Sequence, residues 1–229
     1  MAIGSPEDRP PPFTLLLREA VLFPVSRLRA AFAPAVSLNV DGAGAPVMVI
    51  PGFMASDRTT ARLRKSLAKA GFDCCGWGMG RNLGIKPDIF QRMDDRISMM
   101  NTRVPVTLIG WSVGGLIARE YAKYAPHRVA KVISLGSPFS SGPRANNGWR
   151  IYEIVAGHKV DSPPLSVILS DKPPVPTIAI WSSRDGMVSP CAARGLAGES
   201  DVQMEENCTH MGLIAAPDII RRIADTIAQ

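Results

Sequence analysis

The sequence predicts an α/β fold: a mostly parallel sheet of about six strands with helices on both faces. Three observations carry this. Short apolar runs alternate with stretches of helical periodicity of about 10–15 residues. Glycine and proline punctuate the boundaries. The 229 residues, 46% hydrophobic and 20% charged, are enough for one sizeable core of ordinary globular composition.

Along the chain, Leu17, Ala20, Val21, Val25, Leu28 and Phe32 recur at helical spacing, and Pro24 interrupts them. Residues 1–45 therefore read as an N-terminal helical arm of two short amphipathic helices, ahead of a single domain over 46–229. Docking of the arm on the domain is the favoured expectation. Weak peripheral contact with anionic lipid through the arginines is the other. Residues 47–50 form a continuous apolar run closed by Pro51 and Gly52, a buried-strand pattern. A helix is predicted over 58–70 with Gly71 as its stop, then a strand over 72–75 and a glycine-rich loop over 76–80. Residues 88–101 read as a helix and 104–109 as a strand with Pro105 near its entry. A helix over 113–124, a strand over 129–135 and strands over 177–181 and 202–205 follow. Residues 217–228 close the chain as a helix with Pro217 in its first turn.

Composition excludes several classes. No stretch reaches the roughly 18 apolar residues that span a bilayer. The opening carries Glu7, Asp8, Pro10, Pro11 and Pro12, unlike the basic start and apolar run of a secretory signal, so a cytoplasmic protein is expected. The net charge is +6, but the basic residues are scattered as solvated faces, so no nucleic-acid partner is expected. Cys74 and Cys75 are adjacent, and Cys191 and Cys208 stand alone, which suits reduced thiols. With three histidines, a His-rich metal site is not expected, and no metal or cofactor is assigned.

The chemistry concentrates where predicted strands end. Gly110-Trp111-Ser112-Val113-Gly114 joins the strand over 104–109 to the helix over 113–124. A serine in so sharp a turn needs small neighbours, and the turn lifts its hydroxyl to a helix N-terminus. An inert packing turn is the plain alternative. A nucleophilic serine needs a base. His127 lies before a strand and His158 in an irregular segment. His210 follows the last strand on a carboxyl-end loop, which makes it the candidate. Asp185, after the strand over 177–181, is the candidate orienting acid, with Asp161 and Asp201 as runners-up. The loop Gly136-Ser137-Pro138 after the preceding strand offers no acid. Backbone amides of Val113 and of Phe53, in Pro51-Gly52-Phe53, are the candidate oxyanion donors.

The order Ser112, Asp185, His210, with this elbow and the Pro51-Gly52-Phe53 loop, resembles the α/β-hydrolase superfamily. Within it the chain is similar to small bacterial lipases and esterases, from about residue 47 to the C-terminus. Pro51 stands where many lipases carry histidine, a departure that bears on substrate subgroup. The resemblance implies a serine esterase that acylates Ser112 and then hydrolyses the acyl-enzyme, acting on small-molecule or lipid-like esters. The insertion over about 139–175 has room for a small lid, with Trp149, Tyr152 and Ile154 as its apolar face, and none for a cap domain. Met54, Trp77, Trp111, Phe139, Met187 and Met211 are candidate pocket residues beside Phe53; several serve equally as core. Acyl transfer or cofactor-free peroxidase chemistry would use the same triad, and a catalytically silent binding module would keep the fold alone.

Overall fold

The strands β1 (Pro46–Ile50), β2 (Asp73–Gly76), β3 (Val106–Trp111), β4 (Val129–Leu135), β5 (Thr177–Trp181) and β6 (Val202–Glu205) form one sheet in the order β2-β1-β3-β4-β5-β6. Every pairing between them is parallel. The computed structural model describes residues 9–100, 102–165 and 167–229. Glu7 and Asp8 lie outside the described residues.

Successive strand side chains point to opposite faces, so each continuous apolar run supplies two cores. Val47, Val49, Ile109, Ile133 and Ile180 pack on one face with Leu63 and Leu67 of α2 (Ala61–Lys69) and with Ile220 and Ile223 of the C-terminal helix. Met48, Ile50, Leu108 and Val132 face the other way, onto Met93 and Ile97 of α3 (Ile89–Ser98) and onto Ile117 and Tyr121 of α4 (Val113–Tyr124). Burial on both faces explains why these strands read as unbroken hydrophobic runs.

Four local differences from the sequence reading have physical causes. The arm holds one 20-residue helix, α1 (Phe13–Phe32), with Pro24 inside it. Proline there removes one backbone bond, and the Ala20 carbonyl it would have joined sits on an exposed stretch. Second, β3 begins after Pro105, which has no N–H for the ladder, and it runs on through Trp111; Val104 is exposed. Third, α5 (Trp149–Ala156), α6 (Pro190–Arg194) and α7 (Gly212–Ala215) are too short to show a helical period in sequence. Last, the predicted helix over 88–101 stops at Ser98, and residue 101 lies outside the described residues. The chain closes with α8 (Pro217–Ala228), and no described helix is long and apolar enough to cross a membrane.

Candidate active site

Ser112 sits between the end of β3 and the first residue of α4, with φ 55° and ψ −125°. This is a backbone region that non-glycine residues rarely adopt, at a cost of about 1–3 kcal/mol. The turn leaves no room for a side chain at positions 110 and 114. A Cβ on Gly110 would stand 2.3 Å from the Gly114 carbonyl oxygen, and one on Gly114 would stand 2.4 Å from that of Ile50. Ser112 N–H donates to the Leu135 carbonyl (2.8 Å), which fixes the turn to β4.

Across the carboxyl end of the sheet, Asp185 and His210 form a buried pair. Asp185 Oδ2 lies 2.6 Å from His210 Nδ1, and Oδ1 accepts from the N–H groups of Met187 (2.7 Å) and Val188 (2.9 Å). Both side chains are almost fully enclosed. Burial opposes charge on the imidazole. The Asp185 carboxylate, the hydrogen bond to it and the Glu19 carboxylate outweigh that burial, so the His210 pKa is held above the ordinary histidine value. The bond at Nδ1 leaves Nε2 for the other side of the ring. The two loops are tied together by Ser182, whose hydroxyl donates to the Cys208 carbonyl (2.7 Å) and accepts from the Arg184 N–H (3.0 Å). Trp111 Nε1–H donates to the His210 carbonyl (3.1 Å), and the two rings lie 5.2 Å apart. Burial pushes the Cys208 thiol up to about 12, which keeps this neighbour protonated.

Ser112, Val113, Phe53 and His210 all line one cavity of about 310 Å³ whose walls are chiefly apolar. The loop carrying Phe53 is held by Asn82, a buried residue whose side-chain amide donates to the Pro51 carbonyl (2.7 Å) and whose main-chain carbonyl accepts from the Met54 N–H (2.7 Å). α1 also lines the cavity, through Leu16, Glu19, Ala20 and Phe23. Glu19 is buried and accepts from the backbone N–H groups of His210 and of Gly186 (3.3 Å). Burial raises its pKa, and the Asp185 charge adds to that, against the pull of the amides and the His210 ring. Gly186 makes the contact possible: a Cβ there would stand 2.4 Å from the Leu15 carbonyl oxygen.

Ser112, Asp185 and His210 thus come to one end of the sheet, with Phe53 and Val113 beside them. Of the predicted pocket residues, Trp111, Met187 and Met211 line the cavity. Three do not. Trp77 is buried in the core beneath α3 and donates to the Gly80 carbonyl, and Phe139 packs with Leu116 and Ala179 under the Arg119 guanidinium. Met54 faces outward and is 40% exposed. Trp149 and Tyr152 of α5 line the cavity, whereas Ile154 points to solvent. His158 also reaches the cavity wall, bonded to the Ile85 carbonyl (3.3 Å). Asp201 binds the Thr177 N–H (2.8 Å) where β5 begins, and Asp161 pairs with Arg144, so neither runner-up touches His210. Sequence reasoning missed Glu19 and Asn82: each is a polar residue in an ordinary context, and only the tertiary contact distinguishes it.

Fold and site geometry define a class, and comparison with known proteins agrees. A family model described as the alpha/beta hydrolase fold matches residues 101–153, the stretch holding β3, the elbow and α4. The chain has the α/β-hydrolase fold. It is 28% identical over 120 residues to the pimeloyl-[acyl-carrier protein] methyl ester esterase of Aliivibrio fischeri, a match spanning 49% of this chain and 43% of that protein. Less than half of that curated relative's length is therefore matched. Among solved structures, the monoacylglycerol lipase of Paleococcus ferrophilus superposes with a TM-score of 0.60 at 15% identity, covering 83% of this chain and 96% of that one. A putative aryl esterase from Burkholderia cenocepacia gives 0.59 at 12% identity over 84% and 96%.

Proposed function

We propose that this chain is a serine hydrolase of carboxylic esters that works through an acyl-enzyme on Ser112. One observation carries the reading: a serine in a strained strand-to-helix turn shares an apolar cavity with a buried Asp185–His210 pair. In this mechanism His210 Nε2 takes the proton of Ser112 as the hydroxyl oxygen attacks the ester carbonyl. Asp185 holds the ring by Nδ1 and stabilises the imidazolium that forms. The oxyanion is met by the N–H groups of Phe53 and Val113, at the positive end of α4. The tetrahedral intermediate then collapses. The alkoxide leaves with the proton from His210, and the acyl group stays on Ser112. Water enters, gives a proton to His210, and releases the acid by the reverse sequence.

The cavity supports an apolar acyl group, since Phe23, Leu116, Trp149, Val167 and Leu169 wall it with few polar atoms. The ester-hydrolase reading is supported by a partial relative named a methyl ester esterase. The deciding experiment is labelling with a fluorophosphonate, followed by a panel of p-nitrophenyl esters of increasing chain length. Labelling and turnover in the wild type, with both absent in Ser112→Ala, is the expected result, and the loss of turnover should be on the order of 10⁴-fold or more. Labelling without ester hydrolysis would favour acyl transfer or another use of the triad. Absence of labelling would leave a silent binding module.

A further inference from the structure

α1 docks with the face opposite to its apolar stripe. Glu19 and Ala30 are buried against the domain, while Phe13, Leu17, Val21, Val25, Leu28 and Phe32 are between 51% and 73% exposed. At about 100° per residue these six side chains fall within an arc of about 120° along a helix about 30 Å long. Arginines border the stripe on both sides, Arg18 and Arg29 on one flank and Arg27 on the other, and all three are exposed. Glu19, the acidic residue of α1, is turned inward to His210, so the outer surface is wholly basic. On α5, which walls the same cavity, Ile151 and Ile154 are also exposed, and the Arg150 guanidinium lies 4.9 Å from the Trp149 ring.

We infer that the outer face of α1 is a docking surface for an anionic lipid bilayer, lying in the interface rather than crossing it. An apolar stripe flanked by arginines matches the boundary between acyl chains and negative headgroups. Charge separates this occupant from a second copy of the chain. In a two-fold pairing the arginine rows of both copies would meet with no outward acid on α1 to neutralise them. The inner side of α1 meanwhile walls the cavity, so adsorption brings the site beside the acyl region of the membrane. Here the inference deepens the esterase reading, and points to esters drawn from a lipid phase.

The test is co-sedimentation of the full chain with vesicles of phosphatidylcholine alone, or of phosphatidylcholine and phosphatidylglycerol in equal parts, at low and high salt. Each basic side chain near an anionic surface strengthens adsorption roughly fivefold, so preference for the anionic vesicles should exceed about tenfold and shrink with salt. Val21→Glu/Leu28→Glu should lose adsorption by about tenfold or more, with thermal stability and turnover of a water-soluble ester unchanged. Arg18→Gln/Arg29→Gln, which leaves the stripe intact, should lose the anionic preference. Equal binding to both vesicles, or none to either, overturns the inference. So does a concentration-dependent dimer that Val21→Glu/Leu28→Glu dissolves, because that result assigns the stripe to a second copy. Adsorption is read without turnover, so its failure is distinguishable from failure of the esterase reading.

Discussion

Replacing Glu19 separates an α1 that belongs to the active site from one that merely lies over it. Its carboxylate accepts from the backbone N–H groups of His210 and Gly186, one in each of the loops that carry the acid–base pair. Alanine leaves two buried donors unpaired, at about 1–3 kcal/mol each. The Gly186 bond is long at 3.3 Å and supplies the smaller share. A loss of about 2–5 kcal/mol in unfolding free energy follows, above the usual effect of a single substitution. At this chain length each kcal/mol corresponds to roughly 2–4 °C in Tm, so a fall of about 4–20 °C is expected.

Glutamine gives a different outcome, because it keeps an acceptor and removes the charge. Burial raises the Glu19 pKa above its unfolded value. Its stabilising contribution is therefore complete below the unfolded carboxylate range and is lost as pH rises through the raised folded-state value. Glu19→Gln should match the wild type at acid pH and exceed it at pH of about 8. The Glu19 charge also helps to hold the His210 pKa up. Activity needs the neutral ring, so the acid limb of kcat/KM should move to lower pH in Glu19→Gln. Thermal melts at two pH values and a kcat/KM profile read both effects. A Glu19→Ala protein of wild-type stability, or a Glu19→Gln acid limb that stays or moves upward, would refute the assignment.

Three further substitutions probe the arrangement. Asp185→Asn should cut kcat by roughly 10³–10⁴-fold and shift the residual acid limb downward, while Asp161→Asn and Asp201→Asn stay within a few-fold of wild type in an ester assay. Gly186→Ala places a methyl group 2.4 Å from the Leu15 carbonyl oxygen, so α1 must move, and Tm and turnover should fall together. If both survived, the close approach of α1 would not be needed for activity. Asn82→Ala frees the Pro51 carbonyl and so removes the side-chain tie on the loop bearing Phe53, while the main-chain bonds of residue 82 to Met54 and Ala55 remain. Its expected mark is a kcat loss of about 10–100-fold with little change in KM, as for a misplaced oxyanion donor; a rise in KM alone would count against that role.

The sheet was legible because its signals are local. Runs such as Val47–Ile50, buried on both faces, announce interior strands, and the glycines at 110 and 114 announce a turn with no room for side chains. The place of Ser112, Asp185 and His210 then follows from the rule that parallel sheets carry their sites at the carboxyl ends of strands. The aromatic candidates were not decidable in this way. Trp77 and Phe139 stand in segments adjoining strand ends, just as Trp111 does, and only the direction of each side chain divides core from cavity. Asn82 carries no pattern at all, since a loop asparagine reads as a turn former until the partners of its amide are known.

The arm was expected to dock on the domain, and α1 does pack there, but which of its faces turns inward was not legible in its stripe. The amphipathic rule turns an apolar stripe toward the core, and it would orient this helix backwards. What overrides it is a buried carboxylate with two backbone donors and a glycine that admits the helix backbone. Polar anchorage of this kind is directional where hydrophobic burial is not, so it fixes the rotation of the helix about its own axis. Rotating α1 to bury Leu17 and Val21 would swing Glu19 away from His210 and strand both amides. A helix held in this rotation keeps its stripe in contact with water unless another apolar phase covers it. The contact that completes the candidate site is thus the same one that presents a basic, apolar face outward. Loss of Glu19 should therefore disturb catalysis and membrane adsorption together, whereas Val21→Glu/Leu28→Glu should disturb adsorption alone.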